Sequence, residues 1–205
     1  MIVKVCGIAD EHDAHAAMEA GANALGFNFW PRSPRYLTPA AASQFVPRLP
    51  DGVLKVGVFV DSSAAEIAGI AGPLGLDVVQ LHGEAAAPAG FRFWRALAVR
   101  AGFDSGSLAD EGAEAFLLDA PAGALHGGTG QTFDWSLVRG ASRKVIVAGG
   151  LDGSNVALAI STARPWGVDA CSRLESAPGK KDHAKVAAFC AAALAAAAAH
   201  SHSIS

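Results

Sequence analysis

Ile2-Val3-Lys4-Val5-Cys6-Gly7 is the stretch on which the fold turns. Residues of strand character run from Ile2 to Cys6 and stop at Gly7, just ahead of Asp10, a residue suited to start a helix. Alternation along a strand puts Ile2, Lys4 and Cys6 on one face and Val3 and Val5 on the other. A lysine on the inner face of a buried strand needs a partner, because an unpaired buried ammonium is strongly disfavoured. Cys6, taken alone, reads first as a small hydrophobe at a strand end.

The same unit, an apolar run ending in polar or glycine residues before a helical stretch, recurs along the chain. A helix from Asp10 to about Ala20 leads to a strand at Ala22–Phe29, and Trp30–Tyr36 is a proline-stiffened loop carrying Arg32 and Arg35. Thr38 caps a helix over Pro39–Val46, and Val53–Val60 is the third strand, with Asp61 or Ser62 capping the helix to Gly72. Asp77–Leu81 is the fourth strand, followed by a short helix cut near Pro88. Arg92–Val99 is the fifth, with a weak helix at Ala101–Glu111, and Ala115–Leu118 is the sixth, ending at Asp119. A long loop, Ala120–Thr132, precedes a short helix at Asp134–Val138. Lys144–Ala148 is the seventh strand, and Asp152 or Ser154 caps a helix to Ala163. Gly167–Cys171 is the eighth. Asp182 caps the last helix, with Val186, Phe189, Cys190 and Leu194 on one face and residues 200–205 frayed.

Buried strands separated by helical stretches pair in parallel. Eight such units in 205 residues predict a single α/β domain, a (β/α)₈ barrel of the TIM type spanning residues 1–205. The competing fold, a doubly wound open sheet, would want a glycine-rich dinucleotide turn after the first strand, and Cys6-Gly7-Ile8-Ala9 is not one.

Composition narrows the function classes. Apolar residues make up 51% of the chain and charged residues 17%, so a large core is available. A net charge of −3 with no basic run argues against nucleic acid and anionic membranes as partners. Three widely spaced cysteines, Cys6, Cys171 and Cys190, do not form a disulfide framework and fit a reducing, cytoplasmic setting. Met1 runs straight into strand one, so no signal peptide is expected, and the alanine-rich end is too weakly apolar to span a membrane.

In a barrel of this kind the chemistry lies at the carboxyl ends of the strands. Those ends carry Cys6, Asn28, His82, Asp119, Gly149-Gly150 and Cys171-Ser172, with Arg32 and Arg35 on the second loop. Gly149-Gly150-Leu151 ahead of a helix has the makings of a phosphate site, in which backbone N–H groups and the helix dipole face an anion; it also reads as a plain tight turn. His126-Gly127-Gly128-Thr129-Gly130 is a candidate second wall or lid. Cys6 needs a nearby cation to be much ionised at neutral pH, and Lys4 and Arg35 are the candidates. Asp119 reads either as an acid or as a loop cap, and His82 first as a hydrogen-bonding group. No His, Cys, Asp and Glu set has metal-ligand spacing, and no Ser–His–Asp order stands out.

Taken together these stretches resemble the phosphoribosylanthranilate isomerases of tryptophan biosynthesis. The matching runs are Lys4-Val5-Cys6-Gly7-Ile8, Gly26-Phe27-Asn28-Phe29, Ser33-Pro34-Arg35, Val56–Val60, Val79-Gln80-Leu81-His82-Gly83 and Leu117-Leu118-Asp119. They continue through Gly127–Gly130, Phe133-Asp134-Trp135, Ala148–Leu151, Asn155-Val156 and Glu175–Asp182, in family order along the whole chain. The resemblance implies a (β/α)₈ barrel and an Amadori rearrangement without a cofactor or metal. It implies Cys6 as general base, Asp119 as general acid and Arg35 as the group meeting the anthranilate. His82, Gly128, Gly149, Gly150, Ser172 and Arg173 complete the expected substrate contacts, in a monomer or homodimer.

One departure stands out. Where the family usually has Ser-Gly-Val-Glu after strand eight, this chain has Ser172-Arg173-Leu174-Glu175. Arg173 either turns outward or brings its guanidinium to the phosphate, and a positive φ at that position is in doubt. A barrel that binds a phosphosugar without turnover, and another phosphosugar enzyme of the same fold, are the alternatives. Alternation and barrel closure further predict a contact between Lys4 and Asp169 across the seam of strands one and eight.

Overall fold

The computed structural model describes residues 1–100, 102–109, 112–120 and 132–202. Eight parallel strands close into a barrel in sequence order: β1 (Ile2–Cys6), β2 (Ala24–Asn28), β3 (Leu54–Val60), β4 (Val78–His82), β5 (Arg92–Ala98), β6 (Ala115–Asp119), β7 (Val145–Val147) and β8 (Gly167–Ala170). β1 pairs with β2 on one side and with β8 on the other, so the sheet has no free edge. Among the described residues five α-helices lie outside: α1 (Glu11–Glu19), α2 (Pro39–Ala42), α3 (Ala64–Leu74), α4 (Val156–Ala163) and α5 (His183–His202).

Alternation sorts the side chains into two cores. Val3, Val5, Leu25, Phe27, Phe59, Val79, Leu81, Phe116 and Leu118 point outward, into the layer beneath the helices. Ala24, Val56, Val78, Trp94, Ala115, Leu117 and Ile146 fill the lumen. Near the amino ends of the strands Trp94 meets Trp166 edge to face, with ring centroids 5.9 Å apart. That apolar plug leaves the polar inward positions to the opposite end of the barrel, where Lys4, Cys6, Gln80 and Asp169 are all buried.

The helical layer is thinner than the sequence reading predicts. No helix follows β4 among the described residues, where Pro88 and a left-handed Gly90 interrupt the chain. Of the expected helix at Ala101–Glu111, the described residues form one 3₁₀ turn at Ser105–Ser107, begun by Asp104 accepting from the Gly106 N–H. α2 is a single turn after the Thr38 cap, and a separate 3₁₀ turn follows at Val46–Arg48. The cap of α3 is Ser63, which forms a reciprocal capping box with Glu66. Asp61, one of the two expected caps, has φ 52° and accepts instead from the Glu84 N–H at 3.0 Å.

α4 also starts late. Its N-cap is Asn155 rather than Asp152 or Ser154, and Asn155 spends its side chain on the preceding turn, donating to the Gly150 carbonyl at 2.8 Å. α5 begins as expected at Asp182, whose carboxylate accepts from Ala184 and Lys185. Its buried face is Val186, Phe189, Cys190 and Ala193, whereas Leu194 is 43% exposed. Leu194 stands roughly 80° around the helix from Val186, off the buried stripe. The helix continues to His202, through the first half of the segment expected to fray. A small antiparallel hairpin of β9 (Glu175–Ala177) and β10 (Lys180–Lys181) also went unforeseen.

Candidate active site

Lys4 and Asp169 are register partners across the β1–β8 seam, and the Lys4 Nζ lies 2.9 Å from Asp169 Oδ1. The predicted contact is present, with Lys4 wholly buried. Burial opposes the ammonium, but Asp169 and Cys6 outweigh it and hold Lys4 above its ordinary range. Gly26 of β2 makes room above this pair. A Cβ there would stand 2.6 Å from Cys6 Sγ and 2.9 Å from Lys4 Nζ, so only glycine admits the thiol and the ammonium together.

Cys6 lies beside Cys171 and Lys4. These two contacts prevail over burial and hold its thiol well below the usual range. Cys171 is pushed up by its place beside Cys6 and by burial. Asp119, at the end of β6, moves the other way: burial pushes its carboxyl up to about 6, against a hydrogen bond from Ala120. Gly149, with φ 83°, lets β7 pass this carboxylate, since a Cβ there would meet Asp119 Oδ1 at 2.5 Å.

Cys6 and Asp119 line one cavity at the carboxyl ends of the strands, together with Asn28, Trp30, Arg35, Gln80, His82, Leu117 and Cys171. The Arg35 guanidinium is held by Glu175 through two hydrogen bonds, Nε to Oε1 at 2.9 Å and Nη2 to Oε2 at 2.8 Å. Lys181 Nζ reaches the same carboxylate at 3.0 Å and the Cys171 carbonyl at 3.3 Å. The β9–β10 hairpin thus positions Arg35. His82 Nε2 lies 2.9 Å from the Gln80 amide nitrogen, and Asn28 accepts from the Trp30 N–H. Arg32 is not in the cavity; it is exposed, over the Trp30 ring. Gly128 and the rest of the 126–130 stretch lie outside the described residues.

A second hollow adjoins the first between the ends of β7 and β8, lined by Gly149, Gly150, Ser172 and Arg173 as well as Asp119 and Asp169. Because α4 starts only at Val156, the dipole of that helix is further from Gly150 than expected. The turn at Gly150, φ 61°, and the 3₁₀ turn Ser172–Leu174 supply the backbone instead. Arg173 has no left-handed backbone, so the arginine is accommodated without strain. Its Nη1 pairs with Asp152 Oδ2 at 2.7 Å at the rim of the hollow.

Away from both hollows, His12, Asp13 and His183 form the one group of metal-ligand type among the described residues. There Asp13 accepts from His183 at 2.7 Å and from the Lys181 N–H at 2.8 Å. Linear spacing does not reveal that group, because α5 brings His183 to α1 from the far end of the chain.

Family comparison decides what a barrel with this site is. The family N-(5'phosphoribosyl)anthranilate (PRA) isomerase matches residues 3–192. The chain belongs to that family. The N-(5'-phosphoribosyl)anthranilate isomerase of Solibacter usitatus is 51% identical over 199 residues, covering 96% of this chain and 98% of its own length. The phosphoribosylanthranilate isomerase of Thermus thermophilus superposes with a TM-score of 0.84 at 31% identity, over 95% of this chain and 99% of that one. Monomers generated from the dimeric Thermotoga maritima isomerase superpose at 0.78 and 33% identity, over 95% and 100%. The chain is a phosphoribosylanthranilate isomerase, an enzyme of tryptophan biosynthesis that carries out an Amadori rearrangement.

Within this family frame, Glu175 and Lys181 support the site without a role in the sequence reading, and Cys171, named there only as a strand-end group, stands beside Cys6. The run Glu175–Asp182 matched the family as a string of letters, but its purpose needs the hairpin. Gly179 packs that hairpin on the loop before Arg35; a Cβ there would lie 3.1 Å from the Pro34 carbonyl oxygen.

Proposed function

We propose that Cys6 is the general base and Asp119 the general acid of the isomerisation. The observation that carries this reading is the opposite displacement of two groups facing one cavity, the thiol toward its ionised form and the carboxyl toward its protonated form. Asp119 gives its proton to the ribose ring oxygen as the C1′–O bond breaks and a Schiff base forms. Cys6 then takes the proton from C2′, leaving an enolamine that tautomerises to the ketone. Arg35, fixed by Glu175, offers its remaining N–H groups to the anthranilate, and His82 borders the same cavity. Gly149, Gly150 and Ser172 supply the backbone that receives the phosphate, with Gly128 as a further contact.

The chain acts in the cytoplasm, as a monomer or homodimer, on a small phosphorylated substrate and without cofactor, nucleic acid or membrane. Three free cysteines support a reducing setting, and no helix among the described residues is long and apolar enough to cross a membrane.

The test is a pH series. The acid must be protonated, so kcat/KM should fall as pH rises through the Asp119 value of about 6, and that limb should vanish in Asp119→Asn. The same variant has a stability signature. The native carboxyl binds its proton more tightly than the unfolded one, so its favourable contribution is full below about pH 4 and is lost as pH rises through about 6. Asp119→Asn should therefore be more stable than wild type at pH 8, by up to about 3 kcal/mol, and equal to it near pH 4. Denaturant unfolding at the two pH values measures this, and an equal effect at both would return Asp119 to a capping role.

Arg173 leaves Asp152 and takes the substrate phosphate. Arg173→Ala is then expected to raise KM by about tenfold with little change in kcat, the effect of losing one charge-assisted hydrogen bond. The inhibition constant for inorganic phosphate should rise in parallel. An unchanged KM means that the guanidinium stays with Asp152.

A further inference from the structure

β1 and β8 are paired in register up to Val5 and Ala170, so the next step sets Cys6 directly beside Cys171. Adjacent strands run about 4.8 Å apart, inside the Cα separation that a disulfide spans. Both thiols face the lumen and both line the substrate cavity. Lys181 Nζ stands 3.9 Å from Cys171 Sγ, so a cation is at hand for either sulfur as it ionises. The third cysteine, Cys190, is wholly buried in the face that α5 turns to the barrel and has neither of these features.

We propose that Cys6 and Cys171 form a reversible oxidation site, in which a peroxide converts the pair to a cross-strand disulfide and so removes the base from the isomerase. The Cys6 thiolate attacks one peroxide oxygen; the O–O bond breaks, hydroxide leaves, and Cys6 becomes a sulfenic acid. Cys171 then attacks the Cys6 sulfur; the S–S bond forms, the S–O bond breaks, and the oxygen leaves as water with the thiol proton. For hydrogen peroxide the sum is two thiols and one peroxide giving one disulfide and two waters. A dithiol reductant reverses it by thiol–disulfide exchange. Cys171 thus protects Cys6 by taking it off the path to the irreversible sulfinic acid.

Disulfide formation stands on geometry alone, while the loss of turnover rests on Cys6 being the base; one experiment separates the two. The enzyme and its Cys171→Ser variant are exposed to the same excess of hydrogen peroxide, then to dithiothreitol, with activity and peptide masses followed throughout. The wild type should lose two hydrogens, yield a Cys6–Cys171 cross-linked peptide with Cys190 still free, fall in turnover by at least about 10², and recover on reduction. Cys171→Ser should gain two oxygens at Cys6, as the sulfinic acid, and stay inactive after dithiothreitol. A wild type that gains oxygen at Cys6 with Cys171 still a free thiol overturns the site. So does a variant that recovers as fully as wild type. A cross-linked enzyme with full turnover instead overturns Cys6 as the base and leaves the oxidation site standing.

Discussion

Cys6→Ala is expected to lower kcat at least about 10²-fold while leaving KM nearly unchanged, the pattern of a group whose work is confined to the transition state. The fold should barely register the change. Alanine leaves a gap the size of one sulfur beside Gly26, worth about 1 kcal/mol at most. Cys6→Ser should be as inactive as the alanine variant, since a hydroxyl in the same place is too weak a base at neutral pH to replace a thiolate held low by Cys171 and Lys4. The fluorescence of phosphoribosylanthranilate, lost on turnover, measures all of this. A serine variant within a few-fold of wild type would mean that the proton at C2′ is taken by another group.

The second large effect is structural. Lys4→Met leaves the Asp169 carboxyl in the lumen without its ammonium, and breaking one half of a buried pair costs about 3–5 kcal/mol. The cost should depend on pH. Burial raises the Asp169 carboxyl, and without Lys4 to pull it down it is neutral over a wider range. The variant should therefore be closer to wild type at pH 5 than at pH 8. Lys4→Met with Asp169→Leu should regain most of the loss, because neither charge is left unpaired. Activity of the single variant should fall as well, since the ammonium that favours the Cys6 thiolate is gone. Urea unfolding at the two pH values decides the matter, and a loss below about 1 kcal/mol at pH 8 would mean that water reaches the pair.

How much of this was legible in the sequence varied with the kind of signal. The strands were plain because each is a short apolar run bounded by glycine, proline or a polar residue. Their inner faces followed from alternation, which is how Lys4 and Asp169 could be matched across 165 positions of chain. Helices were legible where a cap and an apolar stripe agreed, as in α1 and α5, and α3 was found although its cap, Ser63, was placed too early. They failed after β4 and β5, where glycine and proline outweigh a weak periodicity. The β9–β10 hairpin was invisible because strands of two or three residues have no period to detect. With it went the reason for Glu175 and Lys181, whose task of holding Arg35 exists only once the chain has turned back on itself. Cys171 was read as a strand end; its place beside Cys6 followed from the same register that paired Lys4 with Asp169.

Carbon-13 NMR of protein labelled at the cysteine β-carbons and aspartate carboxyls titrates Cys6 and Asp119 in one sample and tests their opposite tuning most directly. Cys6 should ionise well below the ordinary thiol range while Asp119 holds its proton to about pH 6, the assignments coming from Cys6→Ala and Asp119→Asn spectra. A Cys6 signal that titrates at its unperturbed value of about 8.5, with Asp119 titrating near 4, would contradict it.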